Sequence, residues 1–102
     1  MDTNNLIAHA RGRFDHASAK RLLKEKYQGK LTFAYRGGMW QAGPELHAMI
    51  FTCGKQGETV LPDLYENPVR IDTVELMKLS QERFNEQMTA WLVEYEQLQK
   101  QR

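Results

Sequence analysis

The chain has 102 residues, a formal net charge of +1, 26% charged residues, three prolines and one cysteine. This composition excludes a disordered chain, and the lone Cys53 excludes a scaffold held together by intrachain disulfides. No apolar run approaches the 18 residues of a membrane span, and the N-terminus lacks the order of a signal peptide. We therefore predict a single domain over residues 1–102 that is intracellular and has no membrane partner.

The charge is divided unevenly along the chain. Residues 1–40 carry 8 basic and 3 acidic residues, whereas residues 41–102 carry 6 basic and 10 acidic residues. Three interpretations are open: two faces that attract each other within the fold, a nucleic-acid-binding patch, or head-to-tail self-assembly of copies.

Residues 1–29 are predicted to be helical. Apolar side chains recur near helical spacing from Leu6 to Phe14 and again from Ala19 to Tyr27. Gly12 weakens the middle of this segment, so we expect either one bent helix or two short helices over 4–11 and 16–28. Gly29 is a natural terminator, with lysines in the last turn.

Residues 30–71 are predicted to form β-strands and turns. Leu31–Tyr35 is rich in strand formers, and Met39–Ala42 returns after the turn Arg36-Gly37-Gly38, which predicts a β-hairpin. Thr59–Leu61 and Val69–Ile71 predict a further short strand and an edge pairing. The sum is a small antiparallel β-sheet of about three strands.

The segment 44–53 is ambiguous. Pro44 can be the first residue of a short helix, with Glu45 at the positive end of its dipole. The run from Met49 to Cys53 is instead typical of a buried strand. We favour a strand over residues 47–53.

Residues 72–100 predict one long helix. Asp72 is a capping residue followed three places later by Glu75, and no Gly or Pro occurs before the end of the segment. A helix of roughly 27 residues is about 40 Å long. The fold class is therefore α+β. The predicted apolar seam has heptad spacing, with Gln81 at its one polar position: Val74, Met77, Phe84, Met88, Trp91, Tyr95 and Leu98.

The length of this helix indicates a contact surface. A strand of five or six residues spans only about 17–20 Å, so a small sheet cannot cover the helix. It must overhang, pack on the N-terminal helix or dock on another subunit. Core packing and partner binding both explain its aromatic stripe. We predict Phe84, Met88, Trp91 and Tyr95 as partner-binding residues of a self-associating, non-enzymatic interaction module.

Nucleic-acid binding is the alternative function. Basic side chains along a helix would contact phosphates without reading sequence. Phe33, Tyr35 and Trp40 could stack on bases, although most of these aromatics should be needed for the core. The candidate nucleic-acid-binding residues are Arg11, Arg13, Lys20, Arg21 and Lys24.

No motif for catalysis, cofactor binding or metal binding is found. His9, His16 and His47 lack the spacing of a zinc site, and the only serines are Ser18 and Ser80. The loop Gly54–Gly57 lacks the Lys-Ser/Thr pair of a phosphate loop and predicts a tight turn. We expect no catalytic residue, no metal and no cofactor.

Three stretches carry a resemblance to a known group of proteins. They are Leu31–Tyr35 with Gly37, Gly38 and Trp40, then Val60–Val69, and finally Trp91–Glu96. Together they resemble small accessory proteins of tailed bacteriophages over about residues 30–98. The resemblance assigns no catalytic or binding residue. It implies a virion component or an assembly factor, located in the host cytoplasm or in the virion.

Overall fold

Three helices and two β-hairpins make up the chain in a computed structural model, which describes the backbone of residues 3–100 and the side chains of residues 15–100. The α+β class is confirmed. The molecule is elongated, measuring 67 × 24 × 22 Å. In chain order the elements are α1 (Thr3–Gly29), β1 (Thr32–Tyr35), β2 (Gly38–Gln41), α2 (Pro44–Thr52), β3 (Glu58–Pro62), β4 (Pro68–Asp72) and α3 (Thr73–Lys100).

Helix α1 is one continuous helix and is not divided at Gly12. Among the two predicted arrangements, the pair of short helices over 4–11 and 16–28 is therefore wrong. The helix ends where Lys30 N donates to Lys26 O and Leu31 N donates to Gln28 O. Uninterrupted backbone hydrogen bonding evidently outweighs the roughly 1 kcal/mol cost of one internal glycine.

The predicted hairpin of β1 and β2 is confirmed, with Phe33 paired to Trp40. Its tight turn requires positive φ at two successive residues, 48° at Arg36 and 79° at Gly37. Strands β3 and β4 form a second antiparallel hairpin, in which Leu61 pairs with Val69. The four strands thus form two separate two-stranded sheets, instead of one sheet of about three strands.

The two hairpins are joined at Asp63 and Gly38. Met39 N donates to Asp63 Oδ2 at 3.1 Å, and Leu64 N donates to Met39 O at 2.7 Å. A Cβ on Gly38 would lie 3.0 Å from Val69 Cγ2 and 3.2 Å from Asp63 Cβ. Only glycine allows the hairpins to approach this closely.

The strand predicted over residues 47–53 is wrong, because Pro44–Thr52 is the helix α2. Gly43, at φ 145°, redirects the chain, and Pro44 then supplies a preset φ where no N–H is needed. Ile50 is buried while its neighbour Phe51 is 86% exposed. A run of apolar residues does not separate a strand from a helix, and here the glycine–proline start decided the outcome.

Helix α3 begins as predicted. Asp72 Oδ1 accepts hydrogen bonds from Val74 N at 2.9 Å and Glu75 N at 3.1 Å, which caps the first turn. Ile71 and Leu76, on either side of the cap, are fully buried. They belong to the same core cluster and stand at the two positions of a hydrophobic staple, just before the cap and at the fourth residue of the helix.

The most deeply buried line of α3 differs from the predicted seam. Val74 belongs to that seam and is 62% exposed, and Gln81 is also exposed. The buried line instead runs through Thr73, Leu76, Ser80 and Gln87, one residue before the predicted positions. Three of these four side chains are polar, so the centre of the buried face is mainly polar.

Two polar residues of this line are bound by other parts of the chain. Gly57 N donates to Thr73 Oγ1 at 2.9 Å, and the Ser80 hydroxyl lies 2.7 Å from His47 Nε2 on α2. One heptad after Gln87, Glu94 accepts from Tyr27 and Lys26 on α1. Hydrogen bonds from a loop, α2 and α1 thus hold α3 at three points along its length.

Candidate functional site

A groove of about 780 Å³ opens where the end of α1, hairpin β1–β2, the start of α2, the β3–β4 turn and the second half of α3 meet. This volume lies within the range of small-molecule and peptide sites. Its apolar lining includes Trp40, Leu46, Met49, Phe84, Met88 and Trp91. We call this the apolar groove.

Local structure fixes the walls of the apolar groove. Trp40 is 1% exposed and donates its indole N–H to Tyr35 O at 3.0 Å, which anchors the ring on the hairpin. The Gly43–Pro44 start of α2 passes close to Phe84, since a Cβ on Gly43 would lie 3.9 Å from that ring. Phe84 also packs edge-on against His47, with ring centroids 6.5 Å apart. These walls are therefore preformed.

Trp91, which lines the apolar groove, carries an unsatisfied donor. Within the described part of the chain, its Nε1 is buried and has no hydrogen-bond partner. A buried donor without a partner costs about 1–3 kcal/mol, and such groups are uncommon in native proteins.

The rim of the apolar groove is mainly acidic. Among the described residues, Glu45, Asp63 and Glu66 line it, against the single basic residue Lys24. Among residues 15–100, the ion pairs use the carboxylates of Glu58, Glu75 and Glu94, so Glu45 and Glu66 keep their charge unpaired there. The rim thus presents negative potential to an approaching molecule.

Asp63 stays ionised although it is only 9% exposed. Hydrogen bonds from the backbone N–H groups of Asn67 and Met39 hold the pKa of its carboxyl below the usual value against the effect of burial, and Tyr65 N adds a third. Backbone dipoles, with no full positive charge among its hydrogen-bond partners, therefore balance this carboxylate. Its negative charge is thus held in the wall of the groove by backbone groups.

Three of the four predicted partner-binding residues meet in this groove. Phe84, Met88 and Trp91 line it, and each is partly buried. Tyr95 is also partly buried but lies outside the lining, where the Nζ atom of Lys20 sits 5.9 Å from its ring centroid. The structure therefore brings together the first three and separates Tyr95, which contacts α1.

The basic residues predicted for nucleic-acid binding are only partly described. Lys20, Arg21 and Lys24 are exposed on α1, whereas Arg11 and Arg13 lie outside the residues whose side chains are described. Phe33 and Trp40 are buried in the core, so they offer no face for stacking on bases. What remains is a short basic stretch of α1.

Metal-binding and nucleophilic side chains are the remaining candidates for chemistry. Residues 15–100 hold no group of three or more His, Cys, Asp or Glu side chains placed to bind a metal ion. His47 and Ser80 form a hydrogen-bonded pair, but Ser80 is completely buried and its hydroxyl cannot meet a substrate. None of the described helices is long and apolar enough to cross a membrane.

Sequence reasoning missed the opposite wall of the groove. Met49 falls in the segment predicted as a strand and Leu46 just before it, and no role is predicted for Asp63. Part of the role of Asp63 had a local signal in the sequence, because an aspartate in a turn commonly accepts hydrogen bonds from the N–H groups of the residues that follow it. Tyr65 N and Asn67 N donate to Asp63 Oδ1 in this way. Its bond to Met39 had no signal, since it depends on how two hairpins dock.

Comparison with protein-family models, with curated proteins and with solved structures finds no match to this chain. The resemblance to phage accessory proteins therefore stays a prediction.

Proposed function

We propose that this protein is a non-enzymatic protein-interaction module that self-associates through the apolar groove. The observation that carries the proposal is the preformed groove lined by Phe84, Met88 and Trp91, with the indole N–H of Trp91 left without a partner. Large aromatic side chains held in rigid, partly desolvated pockets are the usual anchors of protein interfaces.

The surroundings of the groove support a protein ligand over a small polar substrate. Its lining is mainly apolar, and Ser80, the serine that is hydrogen-bonded to His47, is buried. The resemblance to small phage proteins agrees with a role as virion component or assembly factor, either in the host cytoplasm or in the virion. We include that role in the proposal.

The test is the absolute mass in solution by light scattering, over a protein dilution series and at two salt concentrations. We expect the wild type to form an oligomer. Trp91→Ala should raise its dissociation constant at least tenfold, as for a typical interface anchor. Leu92→Ala is the matched control, because Leu92 is the next residue of the same helix, is 54% exposed and is not part of the groove lining.

Folding must be separated from association in this experiment. Circular dichroism shows whether Trp91→Ala keeps its helices, and Glu66→Lys changes the exposed rim without touching the core. A wild-type chain that is monomeric at every concentration and salt would overturn the proposal. So would a folded Trp91→Ala protein that assembles like the wild type.

Nucleic-acid binding is the second candidate function. It is favoured by one observation, the exposure of Lys20, Arg21 and Lys24 within five residues of α1. It predicts that a mixed-sequence oligonucleotide binds at low salt and is released steeply as salt rises. Replacing these three residues by Gln should abolish the binding, while the distant Lys55→Gln should not. Absence of any complex at low salt would exclude this function.

A further inference from the structure

We infer that the apolar groove receives the first half of α1 from a second copy of the chain, in a head-to-tail contact. This inference rests on the proposed function and names the partner of that same site. It is carried by three observations: the continuity of α1, the apolar repeat in its sequence, and the acidic rim of the groove.

The first half of α1 cannot reach the groove of its own chain. Helix α1 is continuous from Thr3 to Gly29, and its last turns form one wall of the groove through Lys24 and Tyr27. Phe14 lies ten residues before Lys24, so about 15 Å of straight helix separates them. Any groove that this segment enters therefore belongs to another molecule.

The sequence of this segment fits an apolar groove. Leu6, Ala10 and Phe14 recur every four residues, which places them in one stripe of a helix. Their side chains lie outside the described residues, so only their spacing is used. At about 100° per residue, Arg11 and Arg13 fall on opposite edges of the stripe. An amphipathic helix in an apolar groove is a common mode of peptide recognition.

The charges of the two surfaces are complementary. The incoming stripe is flanked by two arginines, and the receiving rim carries Glu45, Glu66 and the ionised Asp63 against one lysine. The whole chain shows the same division, because residues 1–40 have a positive net charge and residues 41–102 a negative one. Such pairing sets the direction of docking and the choice of partner more than it adds affinity.

Head-to-tail contact has a consequence for assembly. The groove and the first half of α1 are different surfaces, so each bound pair still exposes one of each. A contact of this kind continues until it closes into a ring or extends as a chain of copies. This form of growth suits an assembly factor.

The test mixes two disabled variants of the full-length protein. Trp91→Ala removes the groove anchor, and the double variant Leu6→Ala with Phe14→Ala removes the incoming stripe. We expect each alone to be monomeric at concentrations where the wild type assembles. Mixed together they still share one intact contact, so we expect a one-to-one heterodimer that grows no further. Ala8→Gln, on the other side of the helix, is the control and should assemble like the wild type.

Charge exchange provides a second readout that leaves the core untouched. Arg11→Glu with Arg13→Glu should weaken association at least tenfold, and so should Glu45→Lys with Glu66→Lys. Mixing these two variants should restore association, because the exchanged charges again attract each other. High salt should reduce both the loss of association in each variant and its recovery in the mixture.

The outcomes distinguish this inference from the proposed function. If Trp91→Ala dissociates the oligomer but the Leu6/Phe14 variant assembles normally, the groove is an interface and its occupant is not α1, which overturns the inference alone. If both variants lose association but their mixture stays monomeric, this outcome also refutes the head-to-tail contact. If neither variant affects the oligomer, or the wild type is monomeric, both proposals fail.

Discussion

Ser80 tests which face of α3 packs inward. The heptad seam read from the sequence places Gln81 on the buried face and Ser80 at its flank. In the structure Ser80 is completely buried and hydrogen-bonded to His47, and Gln81 is exposed. The predicted seam and the structure therefore give opposite expectations for the stability of the Ser80→Leu and Gln81→Leu variants.

The structure predicts that Ser80→Leu destabilises the protein. It replaces the hydroxyl oxygen by three carbon atoms at a site without free surface and leaves His47 Nε2 without its partner. Overpacking costs about 1–3 kcal/mol, and the lost hydrogen bond adds about 0.5–1.5 kcal/mol. A loss of about 2–4 kcal/mol lowers the melting temperature by about 10–25 °C in a chain of this size. Gln81→Leu, on the surface, should change stability by no more than about 0.5 kcal/mol.

Urea unfolding followed by circular dichroism measures both free energies of unfolding. Ser80→Ala separates the two contributions, because it removes the hydrogen bond without adding volume and also gains slightly in helix propensity. Its net cost should be no more than about 1 kcal/mol. A stable Ser80→Leu protein, or a Gln81→Leu protein stabilised by more than 1 kcal/mol, would refute the buried polar line and restore the heptad seam.

Three further predictions concern the cap, the hairpin junction and the α1–α3 contact. Asp72→Ala should cost about 1 kcal/mol in urea unfolding, because it removes the acceptor for Val74 N and Glu75 N, and Asp72→Ser should recover most of it. Gly38→Ala should cost about 1–3 kcal/mol, since its Cβ would press on Val69 and Asp63, whereas Gly29→Ala meets no atom within 4 Å and should show no steric cost. Hydrogen bonds from Tyr27 and then Lys26 hold the pKa of Glu94 below its ordinary value of 4.5, so this contact stabilises the fold above that pH and is lost as the pH falls through the lower folded value. Tyr27→Phe should accordingly flatten the acid side of the stability–pH curve, and an unchanged curve would contradict the role of Glu94.

Elements with strong local signals were predictable from the sequence. The cap at Asp72 and the absence of Gly and Pro afterwards define α3, and the turn at Arg36 and Gly37 defines the first hairpin. Residues 47–53 were not predictable by the same means, because their apolar run suits either a strand or a buried helix face. The Gly43–Pro44 signal was present and favoured the helix, but the run of β-branched and aromatic residues outweighed it.

The prediction of which face of α3 is buried was wrong for a different reason. Hydrophobic periodicity assumes that the centre of a buried face is apolar, and Ser80, Gln87 and Glu94 break that assumption. The hydrogen-bond partners of Ser80 and Glu94 lie on other elements, far away in sequence. A polar side chain with a distant partner has no local signature that distinguishes it from a solvated one.

The polar centre of the buried face of α3 also explains why Phe84, Met88 and Trp91 line a groove and do not form a simple helix seam. With small polar residues at the centre of the face, α1 and α2 dock close to α3 at Glu94 and Ser80, and the large side chains are displaced to the space between these contacts. A partner helix would therefore enter between α1, α2 and α3, and would not lie along a continuous coiled-coil stripe. This geometry accounts for the separation of Tyr95, which belongs to the α1–α3 contact. Tyr95→Ala should then loosen α1 within one chain, while Trp91→Ala acts on the contact between chains.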